Sequence, residues 1–156
     1  ESDKTYTIVC TFAISAFTAN TASPAFGNVY TNRTGTASAY SAMQEQRFAS
    51  GTNKGTYLWG SGIGWSAGKD FVAVNDTIKI VQLIDATGGS FDSNLTAKNV
   101  TQGTTKTGTQ SVTAMNQQNF HIGYQDSSSV GFNGTVSDFM IYNRILSADE
   151  ISAYLG

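Results

Sequence analysis

Apolar and polar residues alternate along several short stretches of this chain, most clearly near its start. From Thr5 to Ile14 every second residue, beginning with Tyr6, is apolar, and threonine fills most of the positions between. A period of two is typical of a β-strand with one face in a core and one wetter face. The stretch from Thr77 to Asp85 is apolar at both parities, which indicates a strand buried between layers.

The same pattern predicts further short strands separated by turns. They are Ala25–Thr31, one or two within Ala37–Ala49, Phe71–Val74, a hairpin of Phe91–Leu95 with Val100–Thr101, Ser111–Met115 and Phe120–Gly123. The polar stretch Thr104–Thr109 is expected to be exposed. Roughly ten to twelve short strands with turns between them predict an all-β sandwich or barrel. With no internal repeat or linker, residues 1–156 are expected to form a single domain.

The last stretch carries the most local information. After the turn dipeptide Asn133-Gly134, the residues from Thr135 to Tyr142 alternate. The pattern places Val136, Met140 and Tyr142 on one side and two more apolar residues on the other. It therefore predicts a strand buried between layers rather than an edge.

A helical turn is expected to follow this strand. Ser147 and Glu150 have the spacing of a capping box, in which each side chain bonds the other residue's amide. Leu146 and Ile151 lie where a hydrophobic staple would place them, and Gly156 is a natural stop. Since so short a helix is unstable alone, it must be docked on the rest of the domain.

This closing segment resembles a known family. The run F-N-G-T-V-S-D-F-M-I-Y-N-R-I-L-S-A-D-E-I-S-A-Y-L, from Phe132, resembles the end of laminin-G-like, concanavalin A-like jelly-roll domains. The run F-H-I-G-Y at Phe120–Tyr124 resembles the strand before it in that family. The resemblance implies a two-sheet antiparallel jelly-roll sandwich with a short C-terminal helical turn.

Charge and cysteine content exclude several classes of protein. The net charge is −2 and the isoelectric point is near 5.1, and lysines and arginines are scattered singly. No basic footprint for nucleic acid and no apolar run long enough to enter a membrane is present. Cys10 is the only cysteine, so no disulfide can form within the chain, and its place on an apolar face predicts a buried thiol. Because the chain opens on Glu1, it is expected to be a processed product or an excised part of a longer protein.

Patterns for catalysis are missing from the sequence. Glucanases that share the concanavalin A-like fold carry paired carboxylates on one strand, but Glu45 has no such partner and Glu150 belongs to the capping box. The one histidine, His121, lies on a strand without a nucleophile motif and is expected at the surface. The domain is therefore expected not to be an enzyme. A cryptic hydrolase, which would need paired carboxylates in a cleft, is the remaining catalytic alternative.

Aromatic residues among glycines suggest a sugar-binding site. Aromatic faces stack on sugar rings, and amide or carboxylate groups bond the hydroxyls. The candidate ligand-binding residues are Tyr57, Trp59, Trp65, Tyr124, Gln125 and Asp126. The alternative is that Tyr57 and Trp59 simply belong to the core.

No cofactor is expected, and zinc would need more than one histidine and one cysteine. The resemblance to calcium-holding laminin-G-like and pentraxin-like sandwiches leaves calcium open. Its candidate oxygen ligands are Asp70, Asp76, Asp92, Asn94 and Asp126.

The sequence thus leads to two hypotheses about function. The first is a non-catalytic carbohydrate-binding or adhesion module of a bacterial surface or phage fibre or tail protein, located extracellularly, on a cell surface or on a virion. Its partners would be a glycan or cell-surface polysaccharide and other domains of the same fibre. The alternative is a structural or decoration module that makes protein–protein contacts in a virion or fibre.

Overall fold

Two antiparallel sheets of five strands each face one another in the computed structural model. It describes residues 5–17, 25–31, 42–48, 55–61, 65–85, 91–112, 121–123 and 131–156. The strands are β1 (Thr5–Ile14), β2 (Ala25–Thr31), β3 (Ala42–Phe48), β4 (Gly55–Ser61), β5 (Trp65–Lys69), β6 (Thr77–Asp85), β7 (Phe91–Asn99), β8 (Thr104–Val112), β9 (His121–Ile122) and β10 (Gly134–Tyr142), followed by the helix α1 (Ala148–Leu155).

The order of the strands shows which of them lie at the edge of a sheet. The first sheet runs β10-β1-β6-β7-β8, and the second runs β5-β4-β3-β2-β9. Every strand-to-strand ladder is antiparallel. The predicted all-β, two-sheet antiparallel sandwich with a short C-terminal helix is confirmed. In the described part of the chain, β10 and β8 are the two edges of the first sheet.

The core lies between the sheets and follows from the alternation in β1 and β6. Ile8, Cys10 and Phe12 point inward from β1 and are fully buried. Alternate residues of β6 and β7 add further apolar side chains to this core. The second sheet contributes Tyr30 and Met43, among others, from the opposite side. The strands Thr5–Ile14 and Thr77–Asp85 were predicted with the boundaries that the structure shows.

The outer face of the first sheet is also covered, contrary to expectation. Thr7 is 0% exposed and Thr11 is 8% exposed, although both were predicted on a wetter face. The reason is α1, which docks over this face, so that Val9 and Leu146 share an apolar cluster with helix residues. The alternation in β1 correctly separated its two faces, but it did not show that a terminal helix covers the second.

The helix itself begins as predicted. The Ser147 side chain accepts a hydrogen bond from the Glu150 amide at 3.3 Å, and the Ser147 amide donates to Glu150 Oε2 at 2.8 Å. Both halves of the capping box are therefore present. Leu146 and Ile151 pack in one apolar cluster, as a staple requires, and Gly156 caps the end at φ +81°.

Two predicted elements differ from the structure. Residues 71–74 form a bend and turn rather than a strand, with Phe71 and Val72 buried. The predicted hairpin from Phe91 is instead one long strand, and the stretch from Thr104 is a strand of its own. Threonine and lysine give an exposed edge strand no apolar alternation, so periodicity could not reveal β8.

Within the described residues, no helix has the length and apolarity that a membrane crossing demands.

Candidate functional site

The predicted sugar-binding residues fall on the second sheet or outside the described residues. Tyr57 and Trp59 belong to β4, and Trp65 begins β5. In the backbone register Trp59 is opposite Ser66, and Gly60 is opposite Trp65. The two tryptophans therefore lie on adjacent strands. Tyr124, Gln125 and Asp126 lie outside the described residues, so this set as a site stays a prediction.

The carboxylate of Asp76 has a structural role in its loop. Asp76 is 4% exposed, and its Oδ2 accepts hydrogen bonds from the amide of Ala73 at 2.8 Å and from the side chains of Asn99 and Gln102, each at 2.7 Å. These donors hold the turn before β6 to the turn after β7. Asp70 Oδ1 likewise accepts from the Thr56 amide at 3.3 Å.

Calcium binding stays a prediction. Among the described residues, no group of three His, Cys, Asp or Glu is placed to hold a metal ion. Asp126, one of the predicted ligands, lies outside them.

A buried polar bridge crosses the interior. The hydroxyl of Tyr30, on the second sheet, donates to Gln82 Oε1 at 2.8 Å, and Gln82 Nε2 donates to Ser93 Oγ at 3.1 Å on the first sheet. Tyr30 and Gln82 are fully buried, and Ser93 is 3% exposed. Sequence reasoning missed this bridge, because a single glutamine in an apolar strand does not reveal its partner on another sheet. Its groups satisfy one another, which makes it a device that fixes the sheets relative to each other.

Cys10 is a buried thiol, as predicted. Its side chain is 0% exposed. Burial, together with the nearby Asp138 carboxylate, raises the pKa of Cys10 to about 12. Because the thiolate is the reactive form, the native thiol is inert at neutral pH.

His121 is only half-buried on β9, yet its Nε2 atom is buried. That nitrogen has no hydrogen-bond partner in the part of the chain that the structure describes. The backbone of His121 pairs with Thr31. A lone imidazole does not make a metal site.

The most unusual surface of the described residues is the edge strand β10. Only β1 pairs with it among them. Met140 is 42% exposed and Ile141 is 47% exposed, and Ile145 just beyond the strand is 39% exposed. The sequence predicted a strand buried on both sides, and this expectation is wrong, because β10 lies at the open end of the sheet.

A β-bulge decides which side chains of β10 share a face. Thr11 pairs with Asp138 and Phe12 with Val136, so Ser137 is the extra residue. Val136 therefore moves to the face of Phe139 and Ile141, both of which it was predicted to oppose. The inner face of the strand packs on the core through Val136 and Phe139. Asp138, Met140 and Tyr142 are on the outer face, the side of α1.

The opposite edge of the same sheet has a different composition. The β8 residues Thr104, Thr105, Lys106, Thr107 and Thr109 are all exposed. Threonine and lysine are residues with which proteins protect an edge strand from pairing. β8 also lies near β5 of the second sheet. The two edges of one sheet thus differ, since only β10 combines an open backbone with exposed apolar side chains.

The backbone next to β10 is firmly held. Thr7 Oγ1 donates to the carbonyl of Arg144 at 2.8 Å and accepts from the Leu146 amide at 3.1 Å. The hydroxyls of Thr11 and Tyr154 are 2.7 Å apart, which ties the far end of α1 to β1. These contacts attach the chain that follows β10, and the helix after it, to β1.

An ion pair lies at the end of β10. Arg144 donates from Nη1 and Nη2 to the two carboxylate oxygens of Glu150, at 2.8 and 2.6 Å. The hydrogen bonds from Arg144, followed by that from the Ser147 backbone, lower the pKa of Glu150 to about 2. Asp138, six residues before Arg144, is exposed on the same outer face.

Comparison with known proteins returned no match to a family model and none to a curated protein. Two similar solved structures are peptidases. SCP-B, a member of the Eqolisin family, in a complex with the tripeptide Ala-Ile-His, is 15% identical at a TM-score of 0.45. Scytalido-glutamic peptidase with a transition state analog inhibitor is 15% identical at a TM-score of 0.46. Each likeness covers 90% of this chain but only 59% and 60% of the peptidase chain, and it assigns no residue role.

These findings correct the expected family. The similar structures are β-sandwich peptidases and not laminin-G-like or concanavalin A-like lectins, so the predicted membership is wrong. The structure shows why the closing segment was misleading. Ser147, Glu150 and Leu146 cap and dock a helix, and these are local packing features that say nothing about a ligand.

The functional expectations built on that resemblance are corrected as well. The neighbours are enzymes, which contradicts the non-catalytic carbohydrate-binding module, its decoration-module alternative and the expectation that the domain is not an enzyme. The extracellular, cell-surface or virion location and the absence of a cofactor stay predictions.

Proposed function

We propose that this chain binds polypeptide, and that it does so by adding an extended strand to the open edge of β10. The observation that carries the proposal is the position of β10. A strand with apolar residues on both faces lies at an edge with Met140 and Ile141 exposed. Adding a strand would extend the sheet beyond β10 and cover both side chains, which is how β-augmentation achieves affinity.

The chemistry of the strand follows from the residues along β10. Met140 and Ile141 lie on opposite faces, so the incoming strand needs apolar side chains at both parities. Asp138 favours a lysine or arginine opposite it or diagonal to it, since opposite charges stabilise cross-strand pairs. The ligand is thus an extended, apolar, cationic segment.

The test is the binding of a defined probe. A fluorescein-labelled peptide with valines on both faces around a central threonine, and a lysine at each end, is titrated with the protein and followed by anisotropy. Met140→Lys should weaken binding about tenfold or more, equivalent to ~1.4 kcal/mol, because it adds a charge that protects the edge.

A matched variant provides the control. Thr107→Lys places the same charge on the exposed β8 edge and should leave binding unchanged. A second control peptide with proline in place of the central threonine should not bind, since proline donates no ladder hydrogen bond. Equal binding to Met140→Lys and the unaltered protein would refute the proposal.

A further inference from the structure

We infer that α1 is a detachable strap, which leaves the outer face of the first sheet as one unit while the sandwich itself stays folded. When it leaves, it uncovers an apolar strip formed by Val9 of β1 with Val81 and Leu83 of β6. The observation that carries the inference is that the first sheet separates two apolar clusters. Its inner face belongs to the core between the sheets, and its outer face packs against α1.

The core of the sandwich does not depend on α1. Among the described residues, the core between the sheets contains none from the helix. No side chain of α1 is itself buried, and Ile151, Tyr154 and Leu155 are only partly buried against the outer cluster. Segments with few buried contacts open at a lower free energy than the rest of a protein. Losing α1 therefore leaves the core between the sheets in place.

The first half of α1 is held mainly by its own neighbours in sequence. The capping box joins Ser147 to Glu150, and Arg144 binds the Glu150 carboxylate from six residues away. Just before the helix, Thr7 of β1 bonds the carbonyl of Arg144 and the amide of Leu146. The chain thus stays attached to the sheet up to Leu146, and the strap would pivot at Ser147.

Three side chains of the first sheet hold the far end of α1. The hydroxyl of Thr11 is 2.7 Å from that of Tyr154. Lys79 Nζ donates to the carbonyl of Tyr154 at 2.6 Å and lies 5.4 Å from the centre of its ring. Lys98 Nζ donates to the carbonyl of Gly156. These three residues form the clasp of the strap.

The clasp makes docking and helix formation a single event. Cations near a helix C-terminus stabilise its carbonyls, but the last turn of α1 has no basic residue of its own. Lys79 and Lys98 supply this charge from the sheet, and only while α1 is docked. Since a helix of eight residues is unstable alone, a helix that leaves the sheet also unfolds. The docked and detached forms are therefore two discrete states.

Two thiols on opposite faces of the first sheet measure the two kinds of opening separately. Val81 is 1% exposed and lies under α1, whereas Cys10 is 0% exposed and lies in the core between the sheets. In Val81→Cys, labelling with a thiol-specific disulfide is followed over time, and mass spectrometry of the peptides assigns each label. The introduced thiol should react at least about a hundredfold faster than Cys10, because detaching the strap needs less free energy than opening the sandwich.

Loosening the clasp should speed this labelling. In the Val81→Cys background, Lys79→Met removes the donor to the Tyr154 carbonyl and should raise the rate at the introduced thiol about tenfold. The rate at Cys10 should not change. Lys106→Met, which removes a lysine from the exposed β8 edge, is the matched control and should leave both rates as they are.

Hydrogen exchange in the unaltered protein shows whether the strap moves as a unit. The amide of Ile151 bonds the Ser147 carbonyl at 3.0 Å, and the amide of Gly156 bonds the Ser152 carbonyl at 2.9 Å. Both amides should be exposed by the same opening and exchange with equal protection. They should also exchange well before the ladder amides of β1.

Several outcomes would overturn the inference. One is an introduced thiol that reacts no faster than Cys10, and another is an equal rate in the Lys79→Met and Lys106→Met variants. Protection that falls gradually from Ile151 to Gly156 would mean fraying from the end instead of a strap that leaves as a unit. If Val81→Cys does not fold, hydrogen exchange decides alone, and exchange of Ile151 together with the β1 amides would make α1 part of the sandwich's own unfolding.

Discussion

The two edges of the first sheet present the same backbone chemistry but opposite side chains. β8 is lined with exposed threonines and Lys106, whereas β10 exposes Met140 and Ile141. Both strands pair on one side only within the described residues. Threonine and lysine protect an edge strand from pairing with another chain, whereas exposed apolar side chains on an edge favour such pairing. This difference is the reason for proposing that the edge of β10 binds a further strand.

The largest effect on the β10 edge is expected from a substitution at the start of the strand. A Cβ at Gly134 would overlap the carbonyl oxygen of Ala13 and the ring of Phe132. Gly134→Ala should therefore destabilise the fold by about 3 kcal/mol, as overpacking does. Urea denaturation measures this loss.

Thr135→Ala is the control, because Thr135 is an exposed neighbour in the same strand. It should change the free energy of unfolding by less than about 0.5 kcal/mol. Comparable stability of the two variants would show that β10 is not held in this register against β1.

A smaller effect is expected from the bridge behind β10. The Tyr30 ring packs on Phe139 of β10 with centroids 5.6 Å apart, and its hydroxyl bonds Gln82. Tyr30→Phe keeps the ring but leaves Gln82 Oε1 buried without this donor, at a cost of about 1–3 kcal/mol. A double-mutant cycle with Gln82→Met should recover part of the loss, since both polar partners are then removed. Strict additivity would argue against the bridge.

The sequence predicted which side chains of a strand are buried more accurately than it predicted the order of the strands in the sheet. The alternation of Thr5–Ile14 and the capping box at Ser147 are local signals, and both are confirmed. The edge position of β10 depends on strand order, which no period encodes. The burial of Thr7 depends on the segment before α1, where Arg144 and Leu146 bond its hydroxyl from about 140 residues away along the chain.

The candidate site was misplaced for a related reason. Trp59 and Trp65 stand out by residue type, and type suggested a ligand. Met140 and Ile141 were assigned to the core because apolar residues on both faces usually mean burial. The polar run from Thr104 did carry a signal for the other edge of the sheet, since threonine and lysine are typical of edge strands. The apolar run from Thr135 carried none for β10.

The thiol of Cys10 reports how often β10 opens. Cys10 pairs with Phe139 in the ladder and is buried, with its pKa raised to about 12. Labelling with a thiol-specific chromogenic disulfide should be slow in the native protein and fast in denaturant. Thr107→Cys, on the exposed edge, should react at once. If β10 receives an added strand, Cys10 labelling should slow further as the valine–threonine peptide is added, and a rate independent of peptide concentration would count against pairing at this edge.

The smallest expected effect comes from acid at the end of β10. The pKa of Glu150 falls from 4.5 in its ordinary state to about 2 in the fold, through its hydrogen bonds with Arg144 and the Ser147 backbone. A carboxyl whose pKa is lowered by folding stabilises the native state fully above the unfolded value, and this contribution is lost as pH falls from about 4.5 towards 2. Because the pair is exposed, the loss should be modest and screened by salt.

Thermal unfolding followed by circular dichroism between pH 5 and 2 measures the contribution of this pair. The arginine variant Arg144→Gln should flatten the pH dependence while keeping the capping hydrogen bonds of Ser147. Lys106→Gln on β8, which removes a charge from the other edge, should leave the profile as it is. If the Arg144 and Lys106 variants gave the same profile, the ion pair of Arg144 with Glu150 would not be the source of the pH dependence.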